Sequence, residues 1–145
     1  FAMTITKFGT AHWSGGLKDG KGEVSTQSGV LEQQPYGFNT RFEGRPGTNP
    51  EELLGAAHAA CFAMALSGIL GGAGLTATSL EAKSAVVLEK QGEGFAITSA
   101  HLTLEAAIPN ATEEQFNELA QKAKAGCPVS KLFNATITLE ARLKT

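Results

Sequence analysis

Two cysteines are the residues of this chain with the most distinctive chemistry. Cys61 and Cys127 lie far apart in sequence. In a reducing compartment such a pair is more often catalytic, redox-sensing or inert than a permanent crosslink. A zinc site needs three or four ligands, usually in close pairs, and His12, His58 and His101 form no such cluster. We therefore expect no metal or other cofactor.

The sequence around each cysteine favours a different environment. Cys61 follows an apolar stretch, where a lone cysteine is usually a small core residue. Cys127 lies between Gly126 and Pro128, a pattern typical of a helix N-terminus, where unpaired N–H groups and the helix dipole favour a thiolate. From these residues alone, catalysis, redox sensing and inert packing all stay open.

Composition narrows the class of protein. A chain of 145 residues with 42% apolar and 18% charged residues is typical of one globular domain, which we expect to span residues 3–145. Phe1 and Ala2 precede Met3, the expected natural start. The net charge of −2 gives no electrostatic case for binding nucleic acid or an anionic membrane. Without an uninterrupted apolar run of 18 residues or a secretory signal, we expect no membrane span and a cytoplasmic location.

The N-terminal third predicts strands and turns. Residues 4–13 and 22–31 carry strand patterns, and glycine-rich turn signals lie between them. Residues 34–38 are expected to be irregular, because Pro35 restricts the residue before it and Gly37 permits a positive φ. Trp13 is expected to lie in the core.

A long helix is predicted next. Thr48 and Asn49 are capping residues, and Pro50 is well suited to the first helical position. From Leu53 to Leu70 the helix is apolar on every side, which predicts burial by sheet, by a partner subunit or by both. His58 on this helix is expected to be a hydrogen-bonded interior histidine without a catalytic role.

The C-terminal half alternates strands and helices. The pattern predicts two strands, at residues 80–88 and 95–108. An amphipathic helix follows, which begins at Thr112 and is interrupted by Gly126. A short helix from Pro128 to about Phe133 and a last strand at residues 136–143 complete the chain. This order indicates the α+β class rather than a doubly wound sheet.

Three segments together resemble the OsmC/Ohr family of organic hydroperoxide reductases, and its osmotically inducible OsmC branch more than its Ohr branch. They are residues 33–44 (QQPYGFNTRFEG), 48–62 (TNPEELLGAAHAACF) and 124–130 (KAGCPVS). The similarity extends from about Met3 to Lys144 without a departure at the functional positions. The resemblance implies an OsmC-like fold, with antiparallel sheets wrapped around a long buried helix, and a thiol-dependent peroxidase that reduces organic hydroperoxides.

The resemblance also implies a role for four residues. Cys61 would be the peroxidatic cysteine and Cys127 the resolving cysteine, which condenses with the Cys61 sulfenic acid to a disulfide. Arg41 would keep the thiolate ionised and stabilise the departing alkoxide, and Glu51 would hold Arg41 in position. An external dithiol, a lipoyl-type protein by the resemblance, would reduce the disulfide.

The spacing of Glu51 and Cys61 bears on the oligomeric state. Ten residues of straight helix separate them by about 15 Å along its axis, too far for both to line one small pocket. We therefore predict an intertwined homodimer with shared active sites, in which Glu51 of one subunit faces Cys61 of the other. A helix broken between Leu53 and Ala60, with Gly55 as hinge, is the alternative.

Aromatic and aliphatic side chains near these residues are candidates for a substrate pocket that rewards an alkyl group. They are Tyr36, Phe38, Phe42, Phe62 and Met64. A second function stays possible on the same residues, in which the cysteine pair serves a non-catalytic redox sensor or a stress-induced interaction protein.

Overall fold

A computed structural model describes residues 3–144. Phe1 and Ala2, expected to precede the natural start, lie outside the described residues, as does Thr145. The chain divides into two compact units, Phe1–Pro50 and Glu51–Thr145, which are described separately below. Whether the chain is the single domain that the sequence predicts stays a prediction.

The N-terminal unit is built on a three-stranded antiparallel sheet. Its order is β1 (Gly9–Ser14), β2 (Lys21–Thr26) and β3 (Gln34–Tyr36), followed by the short helix α1 (Phe38–Phe42). The expectation that residues 34–38 are irregular is wrong. β3 pairs with β2 on one side and makes a single isolated bridge, Tyr36 to Thr48, on the other. A proline such as Pro35 is tolerated at the edge of a sheet because its missing N–H is not needed there.

The C-terminal unit begins with a long helix and a hairpin. α2 (Pro50–Gly72), whose first residue belongs to the N-terminal unit, is followed by β4 (Ser79–Gln91) and β5 (Gly94–Ala107), which pair antiparallel. The helices α3 (Glu113–Gly126) and α4 (Pro128–Leu132) connect β5 to β6 (Thr136–Leu143). The resemblance implies antiparallel sheets, but β6 pairs parallel with β5, because the two helices provide the crossover that a parallel pair requires.

One stripe of α2 forms the core of this unit. Phe62, Leu66 and Leu70 recur every fourth residue and are fully buried, where they cluster with Leu102, Leu104 and inward residues of α3. At roughly 1.5–3 kcal/mol for each large apolar side chain buried, this cluster is a major source of stability. The predicted helix is thus confirmed: it begins at Pro50, as expected, and ends at Gly72, two residues after the apolar stretch.

One face of α2 is buried within this chain, and burial of the opposite, exposed face by a partner subunit stays a prediction. Apart from Glu52 in the first turn, the exposed residues of the helix are small or apolar: Ala56, Ala57, Ala60, Met64, Ser67, Gly68, Gly71 and Gly72. Among the described residues α2 is the one helix that is long and apolar enough to cross a membrane, with a mean hydropathy of 1.8 and 28% of that window buried. The core helix of a soluble protein meets the same criterion, so this is weak evidence for a membrane.

Gly55 allows α2 to approach β4 closely, and it is not a hinge. The helix is continuous from Pro50 to Gly72, which rules out the broken-helix alternative in this structure. A Cβ at Gly55 would lie 2.7 Å from the backbone oxygen of Ser84. The absence of a side chain therefore sets the distance between helix and sheet.

Replacing Gly55 with Ala is expected to destabilise the protein, although alanine is the better helix former. The methyl group would meet backbone that cannot rotate away, and overpacking of this kind costs about 1–3 kcal/mol. Urea unfolding measures the difference. Gly94→Ala is the matched control, since open space surrounds its Cβ position. A Gly55→Ala protein as stable as the Gly94→Ala protein would contradict this account of the helix–sheet contact.

Candidate functional site

Cys127 lies at the junction of α3 and α4, as the sequence predicts. Its N–H donates to the carbonyl of Ala123 at 3.0 Å, which closes α3, and its own carbonyl accepts from Lys131 at 3.1 Å, which opens α4. Pro128 occupies the first position of α4. The side chain of Cys127 is fully buried, so water and bulky oxidants do not reach its sulfur directly.

Cys61 lies about three turns into α2 and is half-buried. Its thiol forms a side-chain hydrogen bond with Cys127, and both cysteines are free thiols. The structure therefore brings together the two cysteines that the resemblance implies will react with each other. Cys61 is the more accessible of the two, which suits the residue that meets a substrate first.

The hydrogen bond between the two thiols shifts their pKa values in opposite directions. Burial raises the pKa of the Cys61 thiol, and the hydrogen bond and negative charge of Cys127 raise it further, against a smaller opposite effect from the Val129 backbone. Ionisation of Cys61 therefore requires a nearby cation, as the sequence argument expects.

The Cys127 thiol has the opposite shift. Burial opposes its ionisation most strongly, but the Cys61 thiol, the Ser130 backbone and hydroxyl, and the Val129 backbone together outweigh burial and lower the pKa of Cys127. The amides act electrostatically from the first turn of α4, without a full capping hydrogen bond from the Cys127 side chain. In this arrangement Cys127 is the more easily ionised cysteine.

His58 is fully buried and is held at both ring nitrogens. Nδ1 lies 2.7 Å from Oγ of Ser84 on β4, and Nε2 lies 2.8 Å from Oγ of Ser130 on α4. The ring also meets Phe133 edge-on at 5.1 Å. Burial lowers the pKa of His58 from its ordinary value of 6.5, so the ring is neutral at neutral pH. The expected interior histidine is confirmed in its placement and its hydrogen bonds.

The N-terminal unit places Arg41 in an aromatic cavity. The Thr40 hydroxyl donates to the carbonyl of Gly37 and accepts from its N–H, at 3.0 and 2.7 Å, and so fixes the start of α1. The Arg41 guanidinium lies 5.5 Å from the centre of the Phe42 ring. The cavity measures about 180 Å³, and its lining consists of Trp13, Leu17, Tyr36, Gly37, Phe38, Arg41, Phe42 and Pro50.

Three of the five predicted substrate residues, Tyr36, Phe38 and Phe42, thus lie together with Arg41. The other two belong to the C-terminal unit, where Phe62 is fully buried in the core and Met64 is 79% exposed. Glu51 lies in the first turn of α2. The pairing of Arg41 with Glu51 and with Cys61 stays a prediction, as does a site shared between subunits.

Several contributors to these surroundings were not predicted. Trp13, expected in the core, is 36% exposed and packs against Tyr36 beside the cavity, with the ring centres 5.7 Å apart and the ring planes tilted by 53°. The expectation is wrong: β1 is an edge strand of its sheet, and all six of its residues are exposed. Ser84 and Ser130 gave no signal in the sequence. Within residues 3–144, no group of three or more His, Cys, Asp or Glu side chains could hold a metal ion.

The chain is similar to known proteins in sequence and in fold. Residues 42–142 match the family model described as OsmC-like protein. The chain is 61% identical to the peroxiredoxin OsmC of Escherichia coli (strain K12), over 99% of this chain and all of that protein. It is 30% identical to the organic hydroperoxide resistance protein OhrB of Bacillus subtilis (strain 168), over 85% of this chain and 89% of that protein.

Solved structures extend the likeness to the fold. The crystal structure of Bacillus subtilis OhrB superposes with a TM-score of 0.70 at 29% identity, covering 97% of this chain and 98% of that one. A family-model match over more than half of the chain, a near full-length relative and a shared fold all agree. The chain belongs to the family of OsmC-like proteins.

Proposed function

We propose that this protein is a thiol peroxidase that reduces organic hydroperoxides to alcohols. The observation that carries the proposal is the half-buried thiol of Cys61, hydrogen-bonded to the buried Cys127. The family relationship supports the reaction class, since one relative is named a peroxiredoxin and another an organic hydroperoxide resistance protein.

The reaction proceeds in two steps on these sulfurs. The Cys61 thiolate attacks the terminal peroxide oxygen, so that an S–O bond forms, the O–O bond breaks and the alkoxide takes a proton to leave as alcohol. The Cys127 thiolate then attacks the sulfur of the Cys61 sulfenic acid; an S–S bond forms, the S–O bond breaks, and hydroxide leaves as water after gaining a proton. An external dithiol, for which we propose a lipoyl-type protein, returns both cysteines to thiols by exchange.

Arg41 supplies the cation that the first step needs. The pKa of the buried Cys61 thiol is raised, and a guanidinium, which stays protonated in apolar surroundings, opposes that effect. The same group stabilises the alkoxide as charge develops on it. Glu51 pairs with Arg41 and reduces the cost of burying its charge.

Substrate preference follows from the aromatic cavity. Tyr36, Phe38 and Phe42 line it around Arg41, and each methylene of a substrate buried there contributes about 0.8 kcal/mol. Hydrogen peroxide has no alkyl group and gains nothing from these walls. Bulky organic hydroperoxides are therefore the preferred substrates.

The exposed face of α2 supports a homodimer with shared sites. Apart from Glu52 in the first turn, its exposed residues carry no charge, and a second copy would cover this apolar surface symmetrically. Glu51 and Cys61 lie about 15 Å apart along one continuous helix. We infer that Glu51 of one subunit serves Cys61 of its partner. We also propose a cytoplasmic location, where dithiol reductants are available.

Introducing a charge on this face is expected to weaken the dimer. Ser67→Glu would bury an unpaired carboxylate at the proposed interface, at a cost of about 3 kcal/mol, or ~100-fold in Kd. Light scattering after size-exclusion chromatography measures the mass. Thr76→Glu, at an exposed position beyond the helix, is the control. Wild-type protein that is monomeric and fully active at assay concentration would contradict the shared site.

Cys127→Ser is expected to keep the first step and to lose the second. The Cys61 sulfenic acid would then persist and be oxidised further to the sulfinic acid, which thiols do not reduce. Mass spectrometry of the Cys61 peptide after repeated additions of hydroperoxide measures the products. Retention of full multi-turnover activity by this variant would show that Cys127 is not the resolving residue.

Catalysis and redox sensing differ in stoichiometry. An enzyme consumes many equivalents of tert-butyl or cumene hydroperoxide in the presence of a dithiol, whereas a sensor consumes about one per Cys61. Wild-type protein compared with Cys61→Ser distinguishes the two. Consumption that stops after one equivalent with ample dithiol would favour the sensor.

A further inference from the structure

His58 is a fully buried titratable group that the reaction above does not use. Its Nε2 is connected through one hydroxyl, that of Ser130 at 2.8 Å, to the surroundings of Cys127. The same hydroxyl favours ionisation of the Cys127 sulfur. Three side chains from two helices thus form a continuous chain of polar atoms that leads away from the resolving thiol into the core.

The protonation states along this chain are limited by the number of donors. Ser130 has a single hydroxyl proton, so it cannot donate to Cys127 and His58 at once. With Cys127 as a thiol, its S–H points to Ser130, whose hydroxyl donates to Nε2, and Nδ1–H donates to Ser84. With Cys127 as a thiolate, Ser130 donates to the sulfur and accepts from Nε2–H. The two states differ by a shift of two protons along existing contacts.

We propose that His58 is a positioning residue for the resolving step, which accepts the Cys127 proton through the Ser130 hydroxyl as the Cys127 sulfur attacks the Cys61 sulfenic acid. This inference rests on the proposed peroxidase function. His58 would make the thiol of Cys127 nucleophilic, because bases in the solvent do not reach this buried sulfur.

The resolving step begins with two proton transfers. The S–H proton of Cys127 moves to the Ser130 oxygen while the Ser130 proton moves to Nε2, which gives a thiolate and an imidazolium bridged by serine. The thiolate then displaces hydroxide from the half-buried Cys61, and the hydroxide takes a proton from solvent and leaves as water. The imidazolium gives up its proton afterwards, which its lowered pKa favours, so the ring is neutral again. A neutral ring is required at the start, and the lowered pKa of His58 provides it at neutral pH.

The other charged groups of the C-terminal unit on the elements around His58 are not placed to take the proton of Cys127. On β4 the side chains of Glu81 and Lys83 lie on the exposed face, opposite to Ser84. The inward residues of α3 are apolar, and Lys131 of α4 is exposed. On α2 the titratable groups are Glu51, Glu52 and Cys61, of which Cys61 contacts Cys127 directly. Among the described residues of this unit, His58 is therefore the base connected to Cys127.

The first test measures Cys127 without any peroxide chemistry. In a Cys61→Ser background, which keeps a hydroxyl donor beside the sulfur and leaves Cys127 as the one cysteine, the ultraviolet absorbance of the Cys127 thiolate is followed between pH 5 and 10. Adding His58→Gln keeps hydrogen-bonding groups but removes the base, and is expected to shift this absorbance profile to higher pH. His101→Gln is the matched control, because His101 bonds to Thr138 on another part of the sheet and is expected to leave the profile unchanged.

The second test measures the step itself. In single turnover with tert-butyl hydroperoxide, His58→Gln is expected to oxidise Cys61 at the normal rate but to form the disulfide about 100-fold more slowly, the lower range for a lost general base. Ser130→Ala is expected to act likewise, and Ser130→Thr to restore part of the rate. A merely structural role would change the unfolding midpoint without moving the pH profile.

The outcomes separate the two proposals. If Cys61 fails to oxidise in wild-type protein, the peroxidase function is wrong, and the absorbance profile of the Cys127 thiolate still reports on His58. If folded His58→Gln and Ser130→Ala proteins retain the absorbance profile of the Cys61→Ser parent and the wild-type rate of disulfide formation, the relay through Ser130 is wrong. If His58→Gln does not fold, the Ser130→Ala protein alone tests the relay. This substitution removes a single hydroxyl group, so the variant is expected to fold.

Discussion

Cys61→Ser is expected to reduce hydroperoxide turnover by about 10⁴-fold or more, to the rate without enzyme. A serine hydroxyl is not ionised at neutral pH, and it is a far weaker nucleophile towards a peroxide oxygen than a thiolate. The loss is complete in principle, because the buried Cys127 is the one remaining thiol. Consumption of cumene hydroperoxide with excess dithiol measures it.

The informative comparison is with Cys127→Ser. That variant is expected to consume one equivalent of hydroperoxide rapidly, because its Cys61 is intact, whereas Cys61→Ser consumes none. If Cys61→Ser retained the burst and Cys127→Ser lost it, the two cysteines would have the opposite roles. The lowered pKa of Cys127 makes this a real alternative, which burial of its sulfur argues against.

Arg41→Met is expected to slow the oxidation of Cys61 by about 10²–10³-fold, the effect of removing one stabilising donor from a developing oxyanion. Methionine fills the apolar space left by the arginine stem, so that the loss reports on the charge. Arg41→Lys restores a charge without the planar fork and is expected to lose less. Single-turnover loss of hydroperoxide, measured at several pH values, gives the rate of this step.

Arg142→Met is the control for that series. Arg142 is 75% exposed and pairs with Glu105 at 3.6 Å on the surface of the sheet, so its loss is expected to leave the rate unchanged. The Arg41→Met profile is expected to move to higher pH, because without the cation the raised pKa of Cys61 is unopposed. Equal rates for the wild-type, Met and Lys proteins would remove Arg41 from the reaction.

Regular elements with strong local signals were predictable from the sequence. Pro50 and the acids after it fixed the start of α2, and the glycines after Leu70 fixed its end. Cys127 was placed correctly at a helix junction because Gly126 and Pro128 act locally. These predictions depend on residues within one or two turns of each other. The family resemblance added the pairing of the two cysteines, which the local patterns left open.

Features that depend on distant pairing could not be predicted. α2 is apolar all round, so its sequence has no period that distinguishes the buried Phe62 from the exposed Met64. The strand at Gln34–Tyr36 exists because β2 pairs with it. The partners of His58 lie 26 and 72 residues away, and serines are too common for either to be recognised. Only the fold reveals that the three side chains meet.

The most direct test of the central claim is the mass of the intact protein after one equivalent of tert-butyl hydroperoxide. The account predicts the loss of two hydrogen atoms per chain, and a non-reducing peptide map in which the Cys61 and Cys127 peptides are joined. A chain that retains both thiols, or that accumulates a stable oxygen adduct on Cys61 while Cys127 stays reduced, would contradict it.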